Sequence, residues 1–249
     1  MTGTLGLIGA GMIGGTLARQ AVARGMEVVL SNSRGADSLA ELVAELGPRA
    51  RAATPAEAAR AGDLVVATVP LHALDQLPAD ALAGRIVIDT MNYYPQRDRA
   101  IGELDSNSVT SSERVQRELP GARVVKAFNS ISFFNLANAA RPSGAPDRSA
   151  LPIAGDDVEA KAAVVELLDV LGFDAVDTGS LADSWRSEPG TPVYVQPYLP
   201  GTPPEGAGQE EALRWLHENP GEPVTAARVR ELVAEAVRGK AGGVLPGGF

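Results

Sequence analysis

Apolar and polar positions alternate along this chain in blocks rather than residue by residue. Thr4–Ile8, Met26–Leu30, Asp63–Val69, Arg85–Asp89 and Arg123–Phe128 are short apolar runs without every-second-residue polarity. Such runs read as parallel strands covered on both faces. Between them lie Ala- and Leu-rich stretches with helical spacing over Thr16–Arg24 and Ser38–Leu46. Thr54-Pro55-Ala56-Glu57 carries the signals of a helix start: an N-cap, proline in the first turn and an acid behind it. Arg51–Ala53 predicts one more short strand. After a turn-rich junction at 141–148, Leu151–Gly155 reads as a strand, 158–171 as an amphipathic helix and Phe173–Asp177 as a final strand. Asp156-Asp157 fits a helix cap better than a metal site. Two more helices are expected at Gln209–His217 and Ala226–Arg238, and the last nine residues look frayed. The alternation predicts an α/β fold, a Rossmann-type doubly wound and mostly parallel sheet with a small C-terminal α/β extension.

The first strand runs straight into Gly9-Ala10-Gly11-Met12-Ile13-Gly14, and a helix and second strand follow within one short unit. That context gives the glycines meaning as a dinucleotide site. Gly9 permits the tight turn, Gly11 lets backbone approach a pyrophosphate, and Gly14 lets helix and strand pack closely. Met12 and Ile13 open the helix whose N-terminus faces the phosphates. The second strand ends in Ser31-Asn32-Ser33-Arg34, with no acid until Asp37. A carboxylate there would favour a free ribose hydroxyl, whereas Asn32, Ser33 and Arg34 suit a 2′-phosphate, so the expected cofactor is NADPH/NADP+. Ligands of open parallel sheets lie beyond the carboxyl ends of the strands. Val69, Pro70 and Leu71, then Met91 and Asn92, then Ala127 and Asn129 are therefore expected to line the cofactor site towards the nicotinamide. Residues 1–140 form the NADP-binding domain in this reading, and 150–249 a smaller acceptor-side segment.

Composition narrows the chemistry. The 249 residues include no cysteine and two histidines, His72 and His217, with a net charge of −9. Thiolate chemistry and disulfides are excluded, no histidine pair has ligand spacing, and no metal is expected. The acidic balance argues against nucleic acid as a partner, and no apolar run approaches the length of a membrane span. A cytoplasmic protein is expected, with a small-molecule acceptor as its partner and room for a homodimer. His72 lies just past a strand with no acid nearby in sequence to orient it. Lys126, inside an apolar strand, is read as structural.

Taken together, Gly9–Gly14, Asn32-Ser33-Arg34-Gly35, Val69-Pro70-Leu71, Asp89 to Pro95, Val125–Asn129, Gly155-Asp156-Asp157 and Gly172 to Leu181 resemble the NADPH:coenzyme F420 oxidoreductase family. That family groups F420-dependent NADP reductases with the cytosolic domain of STEAP-type metalloreductases, and the resemblance spans residues 4–195. It implies an NADP-dependent oxidoreductase that passes hydride directly between NADP(H) and a deazaflavin or flavin, with coenzyme F420 or a flavin as co-substrate. No catalytic side chain is then required, because the rings need only be positioned. Asn129, Ile131 and Ser132 are the expected acceptor pocket, with Ser184 and Trp185 as further candidates. Where archaeal members carry His at the end of the sixth strand, this chain has Asn129. The alternatives are an NADPH-dependent reductase of a small imine or carbonyl substrate and a non-catalytic NADPH-binding sensor.

Overall fold

A computed structural model of the protein describes residues 3–244 apart from 203, 205 and 220, and apart from the side chains of 209, 213 and 217. Eight strands form one sheet: β1 (Thr4–Ile8), β2 (Glu27–Ser31), β3 (Ala50–Ala52), β4 (Leu64–Ala67), β5 (Ile86–Asp89), β6 (Arg123–Lys126), β7 (Ala150–Gly155) and β8 (Asp174–Asp177). Their spatial order is β3-β2-β1-β4-β5-β6-β7-β8. β1 to β6 run parallel, β7 pairs antiparallel to β6, and β8 runs parallel to β7. The order reverses at β1, which lies between β2 and β4. Ile8 is level with Ser31 on one side and Ala67 on the other, so three strand ends open at one height. This is the crevice where doubly wound sheets hold ligands.

The first helix, α1 (Met12–Ala23), starts earlier than the spacing predicted because Gly14 and Gly15 lie inside it. Glycine weakens a helix by about 1 kcal/mol; here it is required by close packing, shown below. Gly25 ends the unit with φ of 83°. The expected helix start at Thr54 is a capping box, with the Thr54 hydroxyl and the Glu57 carboxylate satisfying each other's backbone N–H. Asp157 caps the 158–171 helix by accepting from the Ala160 N–H at 2.7 Å. Its neighbour Asp156 accepts from the Leu181 N–H at 2.9 Å and fixes the turn after β8.

A single apolar cluster runs from Leu5 and Leu7 through Val125 and Leu151 to Leu168, Val229 and Leu232. The 150–249 segment thus adds strands to the same sheet and side chains to the same core as residues 1–140. The chain beyond 195 completes the far side of the sheet, through Tyr198 and the helix Ala226–Glu235. Of the nine residues expected to fray, 245–249 lie outside the described residues. Gly243 is held, its N–H donating to the Tyr93 carbonyl at 3.2 Å. Among the described residues no helix is long and apolar enough to cross a membrane.

Candidate functional site

The turn after β1 is built by backbone demands. Gly9 has φ of 103°, and a Cβ there would lie 2.5 Å from the Thr68 carbonyl oxygen. A Cβ on Gly14 would overlap the Gly9 carbonyl oxygen and stand 2.8 Å from the Thr68 hydroxyl. That hydroxyl donates to the Gly9 carbonyl at 2.7 Å, and the Gly9 N–H donates to Ser31 at 2.9 Å. Thr68, missed by the sequence reading, pins the turn from β4; its place one residue past the strand end is the signal that could have found it. Gly11 differs from both. Its backbone is ordinary extended chain, and a Cβ there would meet nothing within 4 Å. The fold does not require that glycine. Its missing side chain leaves a cradle over the start of α1, whose N-terminus has no side-chain cap. This is what a bound pyrophosphate needs, so the residues present fit the dinucleotide.

The cradle is the floor of a groove of about 400 Å³. Gly9, Gly11, Asn32, Ser33, Arg34, Val69 and Pro70 from the sequence reading line it, joined by Thr68, His72 and Gln76. Among these lining residues there is no carboxylate. The Asn32 amide is used in its own turn: its oxygen accepts from the Arg34 N–H at 2.9 Å and its nitrogen donates to Ser38 at 2.8 Å. That turn leaves the Ser33 hydroxyl and the Arg34 guanidinium exposed and without a partner among the described residues. Met12 and Ile13 stand on the outer first turn of α1, and Leu71 is buried and lines a neighbouring cavity rather than the groove.

The ends of β5 and β6 form a separate, closed polar cluster. Asn129 is buried; its amide nitrogen donates to Ser187 at 2.7 Å and to the Asn92 amide oxygen at 3.2 Å. Asn92 returns a bond to the Asn129 carbonyl at 2.9 Å. Tyr194 stands over Asn92 and shares a hydrogen bond with the Tyr94 hydroxyl. Burial raises the pKa of both phenols. Met91 and Ala127 are buried beside this cluster. Ile131 packs into the main core and Ser132 caps the helix Phe133–Asn138, accepting from the Asn135 N–H at 3.2 Å, so neither presents its side chain to a ligand in this state. Ser184 is buried with an unpartnered hydroxyl. Trp185 stacks with Arg186 and Arg238, on the side of the C-terminal segment.

His72 gains from the fold what its neighbours in sequence do not supply. An acid does orient it, from 26 positions away: Nδ1 lies 3.0 Å from Asp98 Oδ1, and the His72 N–H reaches the same oxygen at 3.2 Å. Burial disfavours the Asp98 carboxylate, but two bonds from Arg97, the Tyr94 N–H and His72 outweigh it and hold its pKa below the usual value. His72 stands between the groove and a second cavity of about 540 Å³ lined by Arg97, Arg99 and Ile101.

Comparison with known proteins agrees with this geometry. Residues 4–93, which carry the glycine turn, Arg34 and the β4 and β5 ends, match the family described as NADP oxidoreductase, coenzyme F420-dependent. The F420-dependent NADP reductase of Methanothermobacter marburgensis is 32% identical over 75% of this chain and 88% of its own length. The metalloreductase STEAP3 of Rattus norvegicus is 32% identical over 74% of this chain, which spans 35% of that longer protein. A solved Arthrobacter structure, provisionally named an F420-dependent NADP-reductase, is 26% identical with a TM-score of 0.61, covering 73% of this chain and 86% of its own. With an NADP groove at the β1–β4 crossover and a relative matched along most of its length, the chain is an NADP-dependent oxidoreductase and belongs to the coenzyme F420-dependent NADP oxidoreductase family.

Proposed function

We propose that the protein transfers hydride between NADP(H) and a deazaflavin acceptor of the coenzyme F420 type. The observation that carries this reading is the match to the archaeal reductase over 88% of its length, on a chain with the groove such a donor needs. When bound, the cofactor supplies a hydride at its nicotinamide ring. This chain's residues do the rest by holding. The open face of Gly11 and the uncapped α1 N-terminus receive the pyrophosphate, while Ser33 and Arg34 take the 2′-phosphate. Val69 and Pro70 continue the wall towards the β5 and β6 ends, and in this reading the nicotinamide lies against those ends, beside the closed cluster of Met91, Asn92 and Asn129. The acceptor is a free small molecule, and no macromolecular partner is needed for the chemistry.

A carbonyl or imine reductase requires a proton donor beside the hydride. The phenols beside Asn92 are Tyr94 and Tyr194, and burial makes both weaker acids than usual. For a ring acceptor, which also takes up a proton with the hydride, proximity of the two rings supplies the acceleration. The test follows NADPH absorbance with purified protein and F420, FMN or FAD. F420 turnover well above either flavin is expected. Tight NADPH binding with turnover only on small carbonyl or imine compounds would overturn the acceptor, and binding without any turnover would favour a sensor.

A further inference from the structure

Lys126 and Asp89 form an ion pair on neighbouring strands, both side chains fully buried, with Nζ 3.2 Å from Oδ2. Few single domains bury such a pair for stability, because the desolvation cost cancels most of the attraction. What this pair holds is specific. The other Asp89 oxygen accepts the Met91 N–H at 2.8 Å, and Lys126 Nζ donates to the Met91 carbonyl. Both peptide groups flanking Met91 are thus gripped, one from each end of the pair. Further contacts fix the pair itself: Ser112 donates to Asp89 Oδ2 at 2.7 Å, and Lys126 donates to Ser111 at 3.3 Å. Ser111 in turn donates to the Glu188 carboxylate at 2.6 Å, tying the grip to the segment that covers Asn129. The next residue is held as firmly, since the Asn92 carbonyl accepts from Arg97 at 2.8 Å.

We infer that the Lys126–Asp89 pair is a positioning device for the nicotinamide end of the cofactor, clamping the Met91–Asn92 backbone at the height and tilt the ring must meet. Neither residue touches the cofactor. The pair acts through Met91, and the inference rests on the placement of the nicotinamide at the β5 and β6 ends. A pair kept only for stability would be replaceable by neutral side chains of similar size without functional effect, whereas a clamp would not.

The experiment uses the full chain carrying Lys126→Met with Asp89→Asn, which removes both charges together and keeps an acceptor for the Met91 N–H. Affinity is measured for NADPH and for 2′-phospho-ADP-ribose, which fills the groove but has no nicotinamide. The wild type is expected to prefer NADPH, and the double variant to lose about tenfold of that preference while binding the fragment normally. The shift of nicotinamide fluorescence on binding should fall with it. If the double variant does not fold, Ser111→Ala, which removes one contact to Lys126, should lower the same preference by a smaller factor of about two to three. A wild-type preference that survives substitution intact overturns the clamp. Equal wild-type affinity for both ligands overturns the clamp together with the placement of the nicotinamide. Absence of F420 turnover tells only against the proposed acceptor, because these readouts need none.

Discussion

Gly11 and Gly14 belong to one motif, yet the structure assigns them opposite sensitivities, and alanine at each separates ligand from fold. At Gly11 the backbone is extended and a Cβ meets no protein atom within 4 Å. Alanine there restricts the unfolded chain, which stabilises by about 0.4–1 kcal/mol. It also replaces a good N-cap by a poor one, at a cost of about 0.5–1 kcal/mol. The two cancel, so Gly11→Ala should melt within about 2 °C of the wild type. The new methyl stands where the pyrophosphate must approach. Losing two charge-assisted bonds of about 1.5 kcal/mol each weakens NADPH binding roughly a hundredfold. At Gly14 the methyl overlaps the Gly9 carbonyl, a backbone atom that cannot rotate away. Overpacking of this kind costs about 1–3 kcal/mol, or about 2–12 °C in a domain of this size. Thermal melts give one axis, and titration of NADPH fluorescence gives the other. A Gly11→Ala protein that binds NADPH as the wild type does would refute the cradle.

Other outcomes follow from the same geometry. Arg34→Glu removes an exposed cation that has no partner among the described residues, and should reduce the preference for NADPH over NADH by at least about tenfold, measured as the ratio of the two dissociation constants. Asn129→Ala strands the Ser187 carbonyl and the Asn92 amide oxygen, while the Asn92 N–H keeps its bond to the backbone carbonyl of residue 129; a loss of about 1–3 kcal/mol in urea unfolding is expected. Asp98 has a folded pKa below its unfolded value, so its contribution is present above about pH 4 and is lost as pH falls through the folded pKa. Asp98→Asn should therefore melt well below the wild type at neutral pH, and the gap should close on acidification; a gap independent of pH would contradict the assignment.

The fold was legible where local chemistry encodes it. Apolar runs marked β1, β2, β4, β5 and β6, and the glycine spacing identified the turn because backbone room at Gly9 and Gly14 is a property of a few consecutive residues. Thr54 and Asp157 announced their helices for the same reason. Contacts made across the chain were not legible. The acid that holds His72 comes from Asp98, and the phenol over Asn92 comes from Tyr194, about a hundred residues on. Neither distance leaves a periodic trace. The apolar surroundings of Lys126 mark it as structural, but its partner Asp89 depends on strand neighbourhood and register, which periodicity does not carry. Ile131 and Ser132, expected in an acceptor pocket from the family resemblance, pack into the core and cap a helix in this state, which no local pattern marks.

The continuity of the sheet from β6 into β7 bears on how the cycle is timed. Dehydrogenases assembled from two bodies can open like a jaw to exchange oxidised cofactor for reduced. Here residues 1–140 and the described part of 150–249 share one interior, from Leu5 to Leu232, and β7 pairs directly with β6. If the nicotinamide lies at the β5 and β6 ends as proposed, exchange of cofactor falls to small local segments, and the 187–195 stretch over Asn129 is the expected gate. A scattering envelope that is the same with and without NADPH is the expected signature of such a machine, its working strokes confined to a few ångströms of loop.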